Sequence, residues 1–451
     1  MRKSRRANLA FVAGSAVVAM LMAACGSSGG GSSSAASPSA SAGGGSSSAA
    51  LTASAPGITP SQILIGSHQP LTGVAAPGYS EIAPMSNAYF QYVNANGGIF
   101  GRKIKYTYLN DQYNPTDTST VVHQLVLQDS VYAIFNGLGT PTHLAVTQFL
   151  NSQKVPDVFI ASGCNCWNNV AQLPETTGWQ LNYIREGKIL GNYVKAHFKG
   201  KKVGVFYQDD EFGQDGLKGL EYEIPKGQLV TANYNPANTN VGSQVAALKA
   251  GGAQVVVSFT VPAFTALLQL TSLKLQFQPQ LVVSDVGSDP ATLGGLLAAF
   301  GKDKKLSALT NGIITDSYLP SLGDASSSWI SLFKKVHDQY AAKLPIDGNT
   351  EYGFSVAYTF VQAMFKAGRN PTRADLLTAI QGGLTQGPVV APYAFSATDH
   401  DGVTGAYMGI IKNGALIQKG TVLTTDTSPT GAITPYTTAQ PPAPASGIPS
   451  S

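Results

Sequence analysis

Residues 132–146, YAIFNGLGTPTHLAV, contain the pattern on which the fold prediction rests. An apolar run ends in a glycine turn at Gly137 and Gly139, and Thr140-Pro141 then begins a segment of helical character. Proline is favoured at the start of a helix because the N–H that it lacks has no intrahelical partner there. The stretch therefore predicts a β-strand, a tight turn with small side chains, and a helix that begins at the end of the strand.

The same pattern recurs along the chain. The other strand-like runs include ILIGSH (63–68), KIKYTYLN (103–110), KKVGVFYQD (201–209), AQVVVSFT (253–260) and PQLVVSD (279–285). Each is followed by an amphipathic segment, and alternation of this kind in two blocks predicts an α/β fold with two doubly wound parallel sheets. Helices are expected to begin at the prolines 115, 141, 262 and 290, close to the carboxyl ends of strands, where such sheets bind ligands.

The two ends of the chain differ in composition from its middle. Residues 1–24 join a basic head to an apolar stretch shorter than the ~20 residues that span a bilayer, which predicts an export signal. Residues 25–57 are rich in Gly, Ser and Ala and are predicted to form a flexible linker. Residues 423–451 are rich in Pro and Thr and are predicted to form a disordered tail.

Charge and motif content exclude several classes of function. The chain has 29 Lys and Arg against 25 Asp and Glu, and the excess lies in the predicted signal, so no nucleic-acid partner is expected. The six histidines lack metal-ligand spacing, and neither a metal site nor a cofactor is predicted. The hydrolase-like pattern G-x-S-x-G falls in the linker at residues 26–30, where no strained turn can form. An enzyme is therefore disfavoured.

Two short features have more than one interpretation. The acids of QDDEFGQDG (208–216) favour the first turn of a helix, and a calcium loop is the alternative. Cys164 and Cys166 are either unpaired thiols or a reducible bridge across one residue.

Several blocks resemble a known family. They are AYFQYVNANGGIFGRKI (88–104), NDQYNPTDT (110–118), VGVFYQDDEFGQDGLKG (203–219) and EYGFSVAYTFVQAMFKAG (351–368), in this order. Together with residues 132–146 they resemble the type I periplasmic solute-binding proteins of ABC importers, in the branched-chain amino acid and amide class. In addition, LMAACG (21–26) resembles a bacterial lipobox, which implies cleavage before Cys25 and a lipid on its sulfur. The export route, general or twin-arginine, stays open.

The resemblance implies an architecture and a function. Two α/β lobes would be joined by three crossovers near residues 180–184, 312–316 and 394–401. Lobe I would contain residues 58–181 and 315–395, and lobe II residues 182–314 and 396–422. A monomeric lipoprotein on the outer face of the cell membrane would capture a small polar solute between the lobes and deliver it to ABC permease subunits. The alternative is a binding module that signals to a membrane receptor.

The resemblance also implies which residues contact the ligand. Gly139 and Thr140, together with the strip Ala161, Ser162 and Gly163, would hold the ligand carboxylate. Asp285 would meet an ammonium group, and Phe212 would form an aromatic wall. Simple turn, capping and core-packing roles are the alternatives for these residues. Pro77 and Val261 occupy positions where the family has aromatic side chains, so an amide or another small acid is as plausible a ligand as a leucine-like amino acid.

Overall fold

The computed structural model describes residues 50–450. The strands are β1 (Gln62–Gln69), β2 (Lys103–Asn110), β3 (Ile134–Phe135), β4 (Asp157–Ile160), β5 (Thr176–Gly178), β6 (Val203–Gln208), β7 (Leu229–Tyr234), β8 (Val255–Phe259), β9 (Gln280–Val283), β10 (Ile314–Ser317), β11 (Gly405–Lys412), β12 (Ala415–Thr424) and β13 (Thr434–Tyr436). The helices are α1 (Ala76–Tyr79), α2 (Ile82–Ala95), α3 (Pro115–His123), α4 (Thr140–Ser152), α5 (Tyr183–His197), α6 (Glu211–Glu223), α7 (Gly242–Ala250), α8 (Pro262–Lys274), α9 (Pro290–Gly301), α10 (Ser328–Tyr340), α11 (Gly348–Ala367) and α12 (Arg373–Gln381).

The strands form two sheets. The first has five parallel strands in the order β2-β1-β3-β4-β5. The second has eight strands in the order β13-β12-β11-β10-β9-β8-β6-β7, of which β6 to β10 are parallel. The predicted α/β class with two mostly parallel sheets is thus confirmed. The antiparallel strands β11 to β13 were not predicted, although the turn Asn413-Gly414 between β11 and β12 is a strong hairpin signal.

Sheet membership divides the described chain. We use lobe I for the elements around the five-stranded sheet, including α10 to α12, and lobe II for those around the eight-stranded sheet. The chain passes between the lobes after β5, after β10 and after α12. All of β10 pairs with β11, and its first two residues also pair with β9, so residues 315–317 belong to lobe II, whereas the sequence placed them in lobe I.

Prolines and small polar side chains determine where several helices begin. Prolines occupy the first turn of α3, α4, α8 and α9, as predicted. The Asn114 side chain accepts hydrogen bonds from the backbone N–H groups of Thr116 and Asp117, and Asp289 accepts one from Thr292. These caps satisfy N–H groups that would otherwise lack a partner, because the first turn of a helix has no preceding carbonyls.

The predicted disordered tail is wrong for the residues that the structure describes. β13 pairs with β12, and the side chain of Lys188, which is 0% exposed, donates to the carbonyl oxygens of Asp426, Ser428 and Gly431 at 2.9, 2.8 and 3.0 Å. Composition indicated only that the tail cannot form a core of its own. Its backbone is instead ordered by donors that belong to both lobes.

Lobe I contributes its own donors to the tail. The hydroxyl groups of Tyr89 and Tyr92 donate to the carbonyls of Gly447 and Ser446 at 3.0 and 2.6 Å, and the indole N–H of Trp329 donates to Pro441 at 2.7 Å. The tail therefore runs from the sheet of lobe II across the helices of lobe I.

The end of the predicted linker is also ordered. The guanidinium of Arg102 donates to the carbonyls of Thr52 and Thr59 at 2.9 and 2.6 Å, and the hydroxyl of Ser54 donates to Pro371. Residues 1–49, which contain the predicted signal, Cys25 and most of the linker, lie outside the described residues. Among the helices of residues 50–450, none combines the length and the apolar character that a membrane span requires.

We expect Lys188→Met to destabilise the protein by about 1–3 kcal/mol, because the tail carbonyls would lose a charged donor in a buried position. Urea unfolding should show the loss, and limited proteolysis should cut residues 425–450 faster in the variant. Lys274→Met, which removes an exposed lysine from the end of α8, is the matched control. Equal stability of the two variants would contradict a structural role for Lys188.

Candidate functional site

A cavity of about 970 Å³ lies at the carboxyl ends of the strands of both sheets. Lobe I lines it with residues that follow β3 and β4, and lobe II with residues that follow β6, β8 and β9. The β11–β12 hairpin and Thr438 and Gln440 of the tail also line it. Lobe I and lobe II thus enclose a volume near the upper end of the roughly 300–1,000 Å³ that is usual for ligand sites.

Hydrogen bonds across the cleft hold the lobes together around this cavity. The hydroxyl of Tyr79 donates to the carbonyl of Val286 at 2.6 Å, and the Gln208 amide donates to the hydroxyl of Tyr113 at 3.1 Å. The structure is therefore a closed form of the two-lobed arrangement.

The glycine turn after β3 lies where the sequence predicted a ligand-binding edge. Gly139 has φ +101°, a conformation that side chains other than glycine rarely adopt, and its N–H donates to the carbonyl of Ala161 at 3.2 Å. Gly139, Thr140 and Ala161 all line the cavity. The N-terminus of α4 and its partial positive charge consequently lie beside the cavity.

Ser162 and Gly163 support this edge from behind and are not among the residues that line the cavity. The hydroxyl groups of Ser162 and Thr140 are 2.6 Å apart. The carbonyl of Gly163 accepts from the Tyr183 N–H at 2.7 Å, and a Cβ on Gly163 would lie 2.1 Å from the carbonyl oxygen of Leu181. Gly163 is therefore needed for the close approach of the crossover to β4.

The predicted aromatic wall and the predicted counter-ion both line the cavity from lobe II. Phe212 is 2% exposed and packs against Tyr183 with ring centroids 4.5 Å apart, so it belongs to the core and to the cavity wall at once. The backbone N–H of Asp285 donates to Glu186 Oε1 at 3.0 Å and to Asp316 Oδ1 at 3.2 Å.

Glu186, Asp285 and Asp316 form a group that the sequence analysis missed; we call it the lobe II triad. One ligand oxygen from each lies within 4.8 Å of the others, a spacing that suits a metal ion or an organic cation. Glu186 Oε2 and Asp316 Oδ2 are buried without a hydrogen-bond partner. Burial and the neighbouring carboxylates raise the pKa of Glu186 and of Asp316, and burial raises the pKa of Asp285 to about 6.

A second group of acids lies where the two lobes meet; we call it the interlobe acid group. It consists of Glu81, Asp347 and Glu351 from lobe I and Asp289 from lobe II. Asp289 accepts hydrogen bonds from the N–H of Thr292 at 2.8 Å and from the N–H of Gly348 at 2.9 Å, so one carboxylate caps helices in both lobes. Burial raises the pKa of Glu81 to about 8, and the charges of Asp347 and Asp289 add to the shift.

Aromatic side chains also line the cavity. Seven rings line the cavity: Tyr79, Tyr113, Tyr183, Phe212, Tyr318, Tyr352 and Tyr407. Val261, at a position where the resemblance implies an aromatic residue, lines the cavity. Pro77 does not line it, whereas Tyr79, two positions further along, does. Within residues 50–450 no lysine, arginine or histidine lines the cavity.

The two features with open interpretations are resolved in the structure. Cys164 and Cys166 form a disulfide. Asp210 caps α6 by accepting from the N–H of Phe212 at 3.1 Å, and Asp215 accepts from the N–H of Asn165 at 2.7 Å. The helix interpretation of residues 208–216 is thus confirmed, and of the described acids only the lobe II triad has the spacing of a metal site.

Comparisons with known proteins agree with this geometry. The family model described as periplasmic binding protein matches residues 62–415. The Leu/Ile/Val-binding protein homolog 3 of Brucella melitensis is 25% identical over 207 residues, which are 44% of this chain and 54% of the relative. The chain thus spans about half the length of the curated relatives it matches.

Solved structures share the fold. The fatty acid ABC transporter substrate-binding protein from Thermomonospora curvata has a TM-score of 0.72 at 21% identity, over 84% of this chain and 96% of that one. A branched chain amino acid ABC transporter structure from Thermus thermophilus with bound valine has a TM-score of 0.67 at 18% identity, over 81% and 97%. At these identities the likeness concerns the fold alone.

The pKa shift of Glu81 makes stability depend on pH. A carboxyl whose pKa is raised by folding binds more protons in the native state, so stability falls as the pH rises from the usual value of about 4.3 to about 8. Glu81→Gln should therefore melt at a higher temperature than the ligand-free wild type at pH 8, by a few degrees. The difference between the two proteins should shrink towards pH 5.

Differential scanning fluorimetry across this pH range measures the effect, and Asp129→Asn, which removes an exposed carboxylate, is the control. Comparison of variants is needed because burial lowers the pKa of His68 and so favours the opposite trend below about pH 6.5. A pH-independent difference between Glu81→Gln and wild type would contradict the assignment.

Proposed function

Because the chain belongs to the periplasmic binding protein family, we propose that it captures a small polar solute between its lobes and delivers it to an ABC import permease. The observation that carries the proposal is the cavity, which receives the N-terminus of α4 from lobe I and a carboxylate from lobe II. A solute that contacts both lobes favours the closed form over an open one, because it binds the closed form better. Binding would in this way be converted into a shape that a permease can recognise.

The side of the cavity formed by lobe I suits a carboxylate or an amide oxygen. Gly139 brings the backbone close to the cavity, Thr140 offers a hydroxyl, and the first turn of α4 offers a partial positive charge. Ser162 supports this side by hydrogen bonding to Thr140. These features favour an amino acid, an amide or a related small acid as the solute.

The side formed by lobe II suits a positive group. Asp285 lines the cavity at the centre of the lobe II triad, and Phe212 provides an apolar surface next to it. An ammonium group has three donors, and the two carboxylate oxygens without partners in the triad can accept two of them. Asp285 is accordingly proposed as the counter-ion of the ligand amine.

The membership of the family implies an extracytoplasmic location, and the sequence of residues 21–26 supports a lipid anchor on Cys25. Small residues before a cysteine, at the end of an export signal, support cleavage before that cysteine. We propose that a lipoprotein form holds the two lobes near the permease at the membrane surface. The relatives bind solutes, so the proposal assigns no catalytic step to the chain.

Ligand affinity should respond more strongly to Asp285→Asn than to Thr140→Ala. Removing a charged partner of a buried ammonium typically costs about 2–5 kcal/mol, whereas a neutral hydroxyl contributes about 1 kcal/mol. A thermal-shift screen of amino acids, amides and small acids would provide the ligand, and calorimetry would measure both variants, with Asp129→Asn as the control. A silent Asp285→Asn beside a harmful Thr140→Ala would show that the ligand is an acid without an amine.

The anchor is tested separately from the binding site. Cys25→Ser should release the protein from the membrane fraction without changing its affinity for the ligand, because the substitution lies outside the two lobes. Cell fractionation and calorimetry give the two readouts. Persistent membrane association of the Ser variant would rule out lipidation at Cys25.

A further inference from the structure

The charge of the cavity lining exceeds what one ammonium group requires. Six of the lining residues are Asp or Glu, whereas no lysine, arginine or histidine of residues 50–450 lines the cavity. An amino acid brings one positive and one negative group, so a single counter-ion would suffice. The lining is therefore matched to a solute with more positive charge than a neutral amino acid carries.

Five of the six, all but Asp324, belong to the lobe II triad or to the interlobe acid group, and each group has buried oxygens without a partner. Glu186 and Glu81 belong to these groups without lining the cavity. In the lobe II triad these are Glu186 Oε2 and Asp316 Oδ2, on residues that are 0% and 1% exposed. In the interlobe acid group they are Glu81 Oε2 and Glu351 Oε1, and Glu351 is 3% exposed. A buried carboxylate oxygen without a donor is costly, because it has lost water and gained nothing in return. Both groups consequently need protons or a cation.

Members of both groups line the same cavity, together with an aromatic residue. Asp316 and Glu351 both line the cavity, as does Tyr407. Burial raises the pKa of the Tyr407 hydroxyl, and the charges of Glu351 and Asp316 both add to that shift. Aromatic faces attract organic cations and tolerate the apolar chain that joins two of them.

The protein itself supplies little positive charge to these groups. The charge of Lys334 lowers the pKa of Glu351. The Lys334 ammonium, however, donates to the carbonyl of Leu322 at 3.4 Å, and Lys334 does not line the cavity. Arg185 precedes Glu186 of the triad in the sequence, but its guanidinium donates hydrogen bonds to Asp401 and to the carbonyl of Thr425. The compensation must then come from bound protons or from positive groups of the solute that replace them.

We propose that the solute is an organic dication, in which two positively charged nitrogens are joined by a flexible chain, such as an aliphatic diamine or a basic amino acid. The inference rests on the proposed solute-binding function and specifies its ligand. One nitrogen occupies the lobe II triad, and the other occupies the interlobe acid group. Because the interlobe acid group contains residues of both lobes, the second nitrogen also stabilises the closed form. A cavity of about 970 Å³ leaves room for the connecting chain.

Matched pairs of ligands test the proposal on the full-length protein by thermal shift and calorimetry at pH 8. L-lysine is compared with L-norleucine, and cadaverine with pentylamine, since each pair differs mainly by one terminal amine. At least one dication should bind tenfold or more tightly than its partner. Glu351→Gln should abolish this preference, while Asp129→Asn should preserve it.

A measurement on the wild type guards against a Glu351→Gln variant that fails to fold. Calorimetry in buffers of different ionisation enthalpy counts the protons that binding releases. A dication should displace more protons than its monocationic partner, since Glu81, Asp289 and Glu351, whose pKa is raised, would give up protons to accept the second nitrogen. Lys334, whose charge lowers the pKa of Glu351, is present with the dication and with the monocation, so it does not cause a difference between the two titrations.

The remaining outcomes would overturn the proposal. Equal affinity within both pairs, or a preference that survives Glu351→Gln, would show that the interlobe acid group does not bind the solute. Stabilisation by calcium or magnesium chloride alone would make the triad a metal site. Binding of norleucine without any preference for lysine would leave the solute-binding function intact and refute only the dication. If no organic solute of the panel binds, both proposals fail.

Discussion

The closed arrangement of the lobes depends on one carboxylate that serves two helices. Asp289 Oδ1 accepts the N–H of Thr292 in α9 of lobe II, and Asp289 Oδ2 accepts the N–H of Gly348 at the start of α11 of lobe I. The first turn of a helix needs external acceptors, so a carboxylate of lobe II provides an acceptor to a helix of lobe I. In an open form the bond between the lobes would be lost, and the N–H of Gly348 would donate to water instead of Asp289.

The same region explains why the cleft favours a cation. Capping requires acids at helix starts, and closure brings the acids of several helix starts into one buried place. Burial raises the pKa of Glu81 and of Asp289, and the charge of Asp347 adds to both shifts. Their repulsion works against closure until protons or positive groups of a solute offset it. Capping, closure and ligand preference are thus consequences of one arrangement of carboxylates.

The tail also connects the two lobes through hydrogen bonds. Lys188, buried in α5 of lobe II, and Tyr89 and Tyr92 of α2 in lobe I all donate to tail carbonyls. Thr438 and Gln440 of the same segment line the cavity. A segment with no apolar core of its own therefore contacts both lobes and the ligand site.

The sequence by itself determined the alternation of strands and helices and the helix starts at Pro115, Pro262 and Pro290, since these depend on local pattern. The family resemblance determined which residues lie beside the cleft, namely Gly139, Thr140, Phe212 and Asp285. It could not indicate that Glu186 meets Asp285, which lies 99 residues away, or that residues 423–450 are ordered. Burial and pairing of a carboxylate depend on which distant side chains surround it. Only the tertiary structure decided that, because long-range packing sets the solvent exposure and the partners of each charged group.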